Sequence, residues 1–112
     1  MGSREDICKI LELEGFNPIA AGNGEMGVEK AKAELPDLIL CDIKMPGMNG
    51  YDVLLELRKA PATKQIPIIF LTVCSEKANE VKGLELGAQD YIGKPFDKKD
   101  LLTRIRKHLK SE

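Results

Sequence analysis

A chain of 112 residues, 43% hydrophobic and 31% charged, fits one ordinary soluble domain with one core and no room for a second. Its 17 basic and 18 acidic residues leave a net charge of -1, which argues against a nucleic-acid footprint or an electrostatic membrane anchor. No apolar run is long enough to span a bilayer and no signal peptide is visible, so the expected location is the cytoplasm. Cys8, Cys41 and Cys74 are odd in number, widely spaced and set in apolar patterns. Without CxxC or Cys/His spacing they read as reduced core thiols, not as a zinc or redox cluster. Residues 1–112 therefore read as a single domain, with Met1-Gly2-Ser3 as easily an added tail as native sequence.

Taken in order, Ile7, Ile10, Leu11 and, less regularly, Leu13 show helical spacing from Arg4 to Glu14, with Gly15 placed as a C′ glycine. Phe16 to Ala21 reads as a short strand, and its Pro18 assigns it to a sheet edge. Asn23 is the expected N-cap of a helix over Glu25 to Leu35, with Val28, Ala31 and Leu35 inward and Gly27 marking close packing on a sheet. Asn49 should cap a third helix, Tyr51 to Lys59, with Val53, Leu54 and Leu57 inward. Ile66 to Thr72 is a buried strand, and Ser75 caps a fourth helix running through Val81, Leu84 and Leu86 to Gly87. Ala88 to Ile92 is a short last strand. Asp97 caps a final helix with Leu101, Leu102, Ile105 and Leu109 inward and Lys107 and Lys110 suiting its dipole.

The stretch from Asp37 to Gly47 organises these elements. Leu38 to Cys41 is a short uncharged run between a Pro-Asp and a Pro-Gly pair, which reads as a strand buried on both faces. It ends on Asp42, and the following Met-Pro-Gly-Met-Asn-Gly is turn chemistry. Alternating strands and helices imply a parallel α/β sheet, whose ligands bind at the carboxyl ends of the strands. Asp42, Thr72 and Lys94 would converge there. A carboxylate can attack phosphorus to give an acyl phosphate, and a lysine and a hydroxyl can stabilise the added oxygens. Singly, each has a plain alternative: Asp42 as a strand or turn cap, Thr72 as a β-branched strand residue, Lys94 as a surface lysine.

Three segments together, Leu-Ile-Leu-Cys-Asp-Ile-Lys-Met-Pro-Gly-Met-Asn-Gly around Asp42, Ile-Ile-Phe-Leu-Thr ending on Thr72, and Asp90-Tyr-Ile-Gly-Lys-Pro-Phe96, resemble the receiver domain of bacterial two-component response regulators. The resemblance runs from about Ile7 to the C-terminus. It implies a flavodoxin-like three-layer α/β/α fold of the chemotaxis-regulator type, with strand order 2-1-3-4-5. It further implies that Asp42 accepts a phosphoryl group from a histidine kinase and, with the main-chain carbonyl of Lys44, binds Mg²⁺. Thr72 and Tyr91 would be the switch pair, Lys94 the phosphate-binding lysine, and Lys94-Pro95 a cis peptide.

One departure matters. Receiver domains begin with a central apolar strand ending in an acidic pair that holds the Mg²⁺. Aligned on Leu11 to Phe16, this chain starts inside the first helix, so that strand and that pair have no counterpart. Glu5 and Asp6 read as helix N-terminal charges instead. With Asp42 as the one evident carboxylate, Mg²⁺ binding should be weak or absent. Two functions follow: a phospho-accepting switch, which is not an enzyme, or a phosphorylation-incompetent interaction module of the same fold. A flavin or nucleotide binder is a weak third reading: the chain has no phosphate-cradling loop of the P-loop type, no tryptophan and only two tyrosines to stack on a ring. With no output domain following Glu112 and no direct nucleic-acid contact, output should pass through a partner on the face of the last strand and last helix. His108 reads as a solvated surface histidine. The open edge of Leu38 to Asp42 should be covered, either by Pro18 to Ala21 moving in beside it or, the favoured route, by homo-oligomer formation.

Overall fold

The structure is a computed structural model, and it describes residues 4–43, 47–73, 88–94 and 96–109. Helix α1 spans Arg4–Leu13 and buries Ile7 and Ile10. It stops as expected at Gly15, whose φ of +91° is cheap only without a Cβ. Helix α2 spans Gly24–Glu34, with the Asn23 side chain accepting from the Met26 amide at 2.8 Å. Strand β1 (Ile39–Asp42) leads to helix α3 (Gly50–Lys59), strand β2 (Ile68–Val73), strand β3 (Asp90–Lys94) and helix α4 (Lys98–His108). The expected helix from Ser75 to Gly87 lies outside the described residues, as do Cys74 and Lys110.

The sheet is parallel, in the order β1-β2-β3. Side-chain alternation along each strand feeds two cores. Ile39, Cys41, Ile68, Phe70 and Tyr91 pack with α2 and α3; Leu38, Leu40, Ile69, Leu71 and Ile92 pack with α1 and α4. The result is the expected α/β/α layering. Phe70, Ile68, Ile69 and Leu54, the last from α3, are wholly excluded from solvent.

Several expectations are corrected. Phe16 to Ala21 forms no strand: past the Phe16 amide, which donates to Leu11 O, its one main-chain partner among the described residues is the Lys30 ammonium on Ala20 O. Pro18 removes a ladder donor, and the segment does not pair with β1. The outer edge of β1 thus has no strand beside it among the described residues, and Leu38, Ile39 and Leu40 are half-buried instead of buried on both faces. Leu35 is not an inward helical residue. Pro36 disfavours the α conformation before it, so Leu35 turns left-handed (φ 49°) and is 51% exposed. Gly27 is not the close contact either, since a Cβ there would meet Ala21 Cβ at an ordinary 3.9 Å. The last strand begins at Asp90, two residues late, because Gln89 is spent on Ile68: its amide donates to Ile68 O, and its side-chain oxygen accepts from Ile68 N, both at 2.9 Å.

Candidate functional site

The ladder register aligns the carboxyl ends of the three strands. Asp42 lies opposite Leu71, Thr72 opposite Gly93, and Val73 opposite Lys94. With neighbouring strands about 4.8 Å apart, the main chain brings Asp42, Thr72 and Lys94 to one rim. Asp42 is half-buried there. Lys44 and Pro95 lie outside the described residues, so the Lys44 carbonyl and the Lys94-Pro95 cis peptide fall there too.

Helix α3 closes the rim from one side. The chain leaves β1, turns through Gly47 (φ +75°), and re-enters the fold where Gly50 N donates to Ile43 O at 2.8 Å. Asn49 and Asp52 form a reciprocal capping box: the Asp52 amide donates to Asn49 Oδ1 at 3.0 Å, and the Asn49 amide to Asp52 Oδ2 at 3.1 Å. Gly50 presses against β1 so closely that a Cβ would stand 2.6 Å from Asp42 O. The helix start and the Asp42 main chain are therefore one rigid unit.

Around Asp42 the electrostatics disfavour a second ionised group from the strand. Burial, and then the Asp42 charge, push the Cys41 thiol up to about 12 from 9.0. Cys41 is a neutral core thiol whose Sγ donates to Asp42 O at 3.3 Å. Among the described residues no three His, Cys, Asp or Glu side chains gather to hold a metal ion. Mg²⁺ demands near-octahedral oxygen ligands and usually one or two carboxylates with several waters. The described residues around Asp42 are a poor fit to it. Glu25, Asp52 and Glu56 line an open groove of about 500 Å³ beside Gly47, between α2 and α3, and Asp42 is not part of its wall.

Two groupings went unseen in the sequence. Tyr51, Phe70 and Tyr91 form one aromatic cluster beneath the rim, with edge-to-face centroid distances of 5.4 and 5.6 Å. Their spacing in sequence carries no signal, although a tyrosine right after the Asn-Gly cap is an inward position on helical periodicity. The second grouping corrects the reading of His108, whose side chain is 18% exposed with Nε2 3.0 Å from Asp90 Oδ2. Arg104 donates to Asp90 Oδ1 at 2.8 Å and to Tyr91 O at 3.1 Å.

Comparison with known proteins fits this geometry. The family model of the response regulator receiver domain matches residues 2–106. The phosphate regulon transcriptional regulatory protein PhoB of Escherichia coli K12 is 41% identical over 103 residues, covering 92% of this chain and 45% of that protein. The transcriptional regulatory protein CpxR of the same organism is 44% identical over 100 residues, covering 89% and 41%. The chain thus spans less than half the length of these relatives. The solved structure of the Vibrio cholerae chemotaxis protein CheY4 superimposes with a TM-score of 0.89 at 27% identity, over 95% of this chain and 88% of that one. The fold is accordingly flavodoxin-like, of the chemotaxis-regulator type.

Proposed function

Because the chain belongs to the response regulator receiver domain family, we propose that it works as a phospho-accepting switch in two-component signalling, with Asp42 as acceptor and a histidine kinase as donor. One observation carries the reading: the register that brings Asp42, Thr72 and Lys94 to the same carboxyl rim of a parallel sheet. An Asp42 carboxylate oxygen attacks the phosphorus of a phosphohistidine. The P–N bond breaks, its electron pair stays on the imidazole, and a mixed anhydride forms on Asp42. Lys94 neutralises the added oxygens, and Thr72 donates to one of them. Tyr91 is already buried, 6% exposed, and Thr72 drawn towards the phosphate changes the space around its ring, so that the face of β3 and α4 changes for a downstream protein. The chain acts in the cytoplasm as a switch and not as an enzyme. Asp42 and the Lys44 carbonyl are its candidate Mg²⁺ ligands, and binding is weak because one carboxylate makes a poor site.

The test is incubation with a small phosphodonor and Mg²⁺, followed by intact mass. A phosphate adduct in the wild type that is absent from Asp42→Asn is the expected result. An adduct that persists in Asp42→Asn removes Asp42 from the mechanism. No adduct at any Mg²⁺ concentration favours the second reading, an interaction module that does not take phosphate, in keeping with the absence of a three-ligand His, Cys, Asp or Glu group among the described residues.

The reading extends to self-association. The amides of Ile39 and Ile43 point to β2, donating to Pro67 O and Leu71 O, so Leu40 faces the other edge. That edge is apolar and has no strand beside it among the described residues, which makes it a template for pairing between copies. Sedimentation over a concentration series should show a dimer. A monomer throughout, with the Leu40 amide exchanging as fast as a loop, would refute this.

A further inference from the structure

Tyr91 is held from below by a residue that no part of the phosphate chemistry uses. Tyr51 and Tyr91 are both buried, 8% and 6% exposed, and their phenol oxygens lie 3.3 Å apart across a gap of forty residues in sequence. The Phe70 ring meets each of the two edge to face. The oxygen distance is at the long end for a hydroxyl pair, so the hydrogen bond is a loose one. Its position is nevertheless well determined from the α3 side. Tyr51 follows Gly50, and Gly50 is packed against Asp42 O, Ile43 Cα and the Phe70 ring so tightly that a Cβ would come within 2.6, 2.9 and 3.0 Å of them. The capping box of Asn49 and Asp52 fixes the same turn. The Tyr51 phenol is therefore mounted on a turn that abuts the Asp42 main chain.

We propose that Tyr51 is a positioning residue that holds the Tyr91 ring in its buried rotamer and ties that rotamer to the start of α3 beside Asp42. This rests on the reading of Tyr91 as the moving ring of the switch, and it adds a contact to it that does not pass through Thr72. Removing the Tyr51 hydroxyl leaves the ring and its packing on Phe70. It takes away the phenol contact with the buried Tyr91. A ring rotamer of this kind exchanges with a minor outward state populated at the level of a few per cent or less, and one loose hydrogen bond changes such a ratio by roughly two- to fivefold.

The chain contains two tyrosines and no tryptophan, so Tyr51→Phe leaves Tyr91 as its sole tyrosine. The full chain is labelled with 3-fluorotyrosine, and fluorine relaxation dispersion is recorded for wild type and Tyr51→Phe, well below the melting temperature and with neither phosphodonor nor Mg²⁺. The expected result is a minor-state population of Tyr91 that rises about two- to fivefold in the variant. A merely structural role for Tyr51 would lower the melting temperature and leave that population where it was, which would overturn the proposal. Absence of an exchanging minor state in both proteins would overturn it as well. Failure of Asp42 to take phosphate, by contrast, does not alter these spectra, so the two readings fail separately.

Discussion

Gly50 and Gly27 both lie in helices, and their replacement by alanine should have opposite signs. At Gly50 the new methyl would stand 2.6 Å from Asp42 O and 2.9 Å from Ile43 Cα, both main-chain atoms that cannot rotate away. Forcing a methyl into such a contact costs typically about 1–3 kcal/mol. The helix-propensity gain of alanine over glycine is about 1 kcal/mol in a helix interior and smaller at this first position. Gly50→Ala should therefore lose about 1–2 kcal/mol net. At Gly27 the nearest atom to the new methyl is Ala21 Cβ at 3.9 Å, an ordinary contact. Gly27→Ala should then gain up to about 1 kcal/mol, partly by restricting the unfolded chain. Urea unfolding followed by circular dichroism gives both midpoints on one scale, with the slope m unchanged if only stability has moved. Gly50→Ala as stable as the wild type, or Gly27→Ala less stable, would refute the claim that α3 is jammed against the end of β1 while α2 has room to spare.

Thr63 is fully buried and donates to Leu57 O at 2.7 Å, closing the last turn of α3. Thr63→Val should cost about 1–2 kcal/mol in the same urea assay, because it leaves that carbonyl without its donor. Asn49→Ala removes one half of the capping box and should cost about 1 kcal/mol, read as a lowered melting temperature. Cys41, with its thiol raised to about 12, should react with iodoacetamide at pH 8 far more slowly than half-buried Cys8, as peptide mass mapping will report. Its folded pKa lies above its unfolded one, so the native state holds the proton longer. That share of the stability is complete below pH 9.0 and is lost as pH rises towards about 12; Cys41→Ala should flatten the alkaline fall.

The elements legible in the sequence were those whose signals agree with one another. α3 carries Asn49, an inward Val53-Leu54-Leu57 face and basic residues in its last turn, and the structure keeps all three. α4 carries the same combination, although Asp97 sits at the N-cap without a side-chain bond. The segment from Phe16 to Ala21 failed because strand propensity means nothing without a neighbour, and the edge on which a strand there depends is set by tertiary structure. Leu35 failed because the helical period was read through a residue whose backbone is governed by the proline after it. The rim residues were legible for another reason. In a parallel sheet residues at or just past the carboxyl end of each strand lie at the ligand-binding end whatever the exact register, so Asp42, Thr72 and Lys94 could be grouped before their ladder was known. Pairings such as Asp90 with His108 and Tyr51 with Tyr91 leave no local periodicity to find.

Those two pairings bear on how Tyr91 can move. Its main chain is fixed twice. The Tyr91 amide donates to Asp90 Oδ1 at 2.8 Å, and the Tyr91 carbonyl accepts from Arg104 at 3.1 Å. Asp90 is itself tethered to α4 by Arg104 and His108. The place of Tyr91 opposite Phe70 in the ladder, between Asp90 and Ile92, adds a third restraint. A displacement of the strand would break charge-assisted bonds at a half-buried carboxylate, each worth more than a neutral one. A turn of the ring about its own side-chain torsions gives up the loose phenol contact and the edge of Phe70 while leaving these main-chain bonds in place. The less costly motion is thus confined to the side chain, with β3 and α4 moving as one body. Asp90→Asn weakens the tether without touching either ring. It should raise amide exchange at Tyr91 and in the last turn of α4 while leaving Tyr51→Phe as the variant that changes ring dynamics. If Asp90→Asn instead mobilises the ring as strongly as Tyr51→Phe does, strand and ring move together, and the separation of the two restraints is wrong.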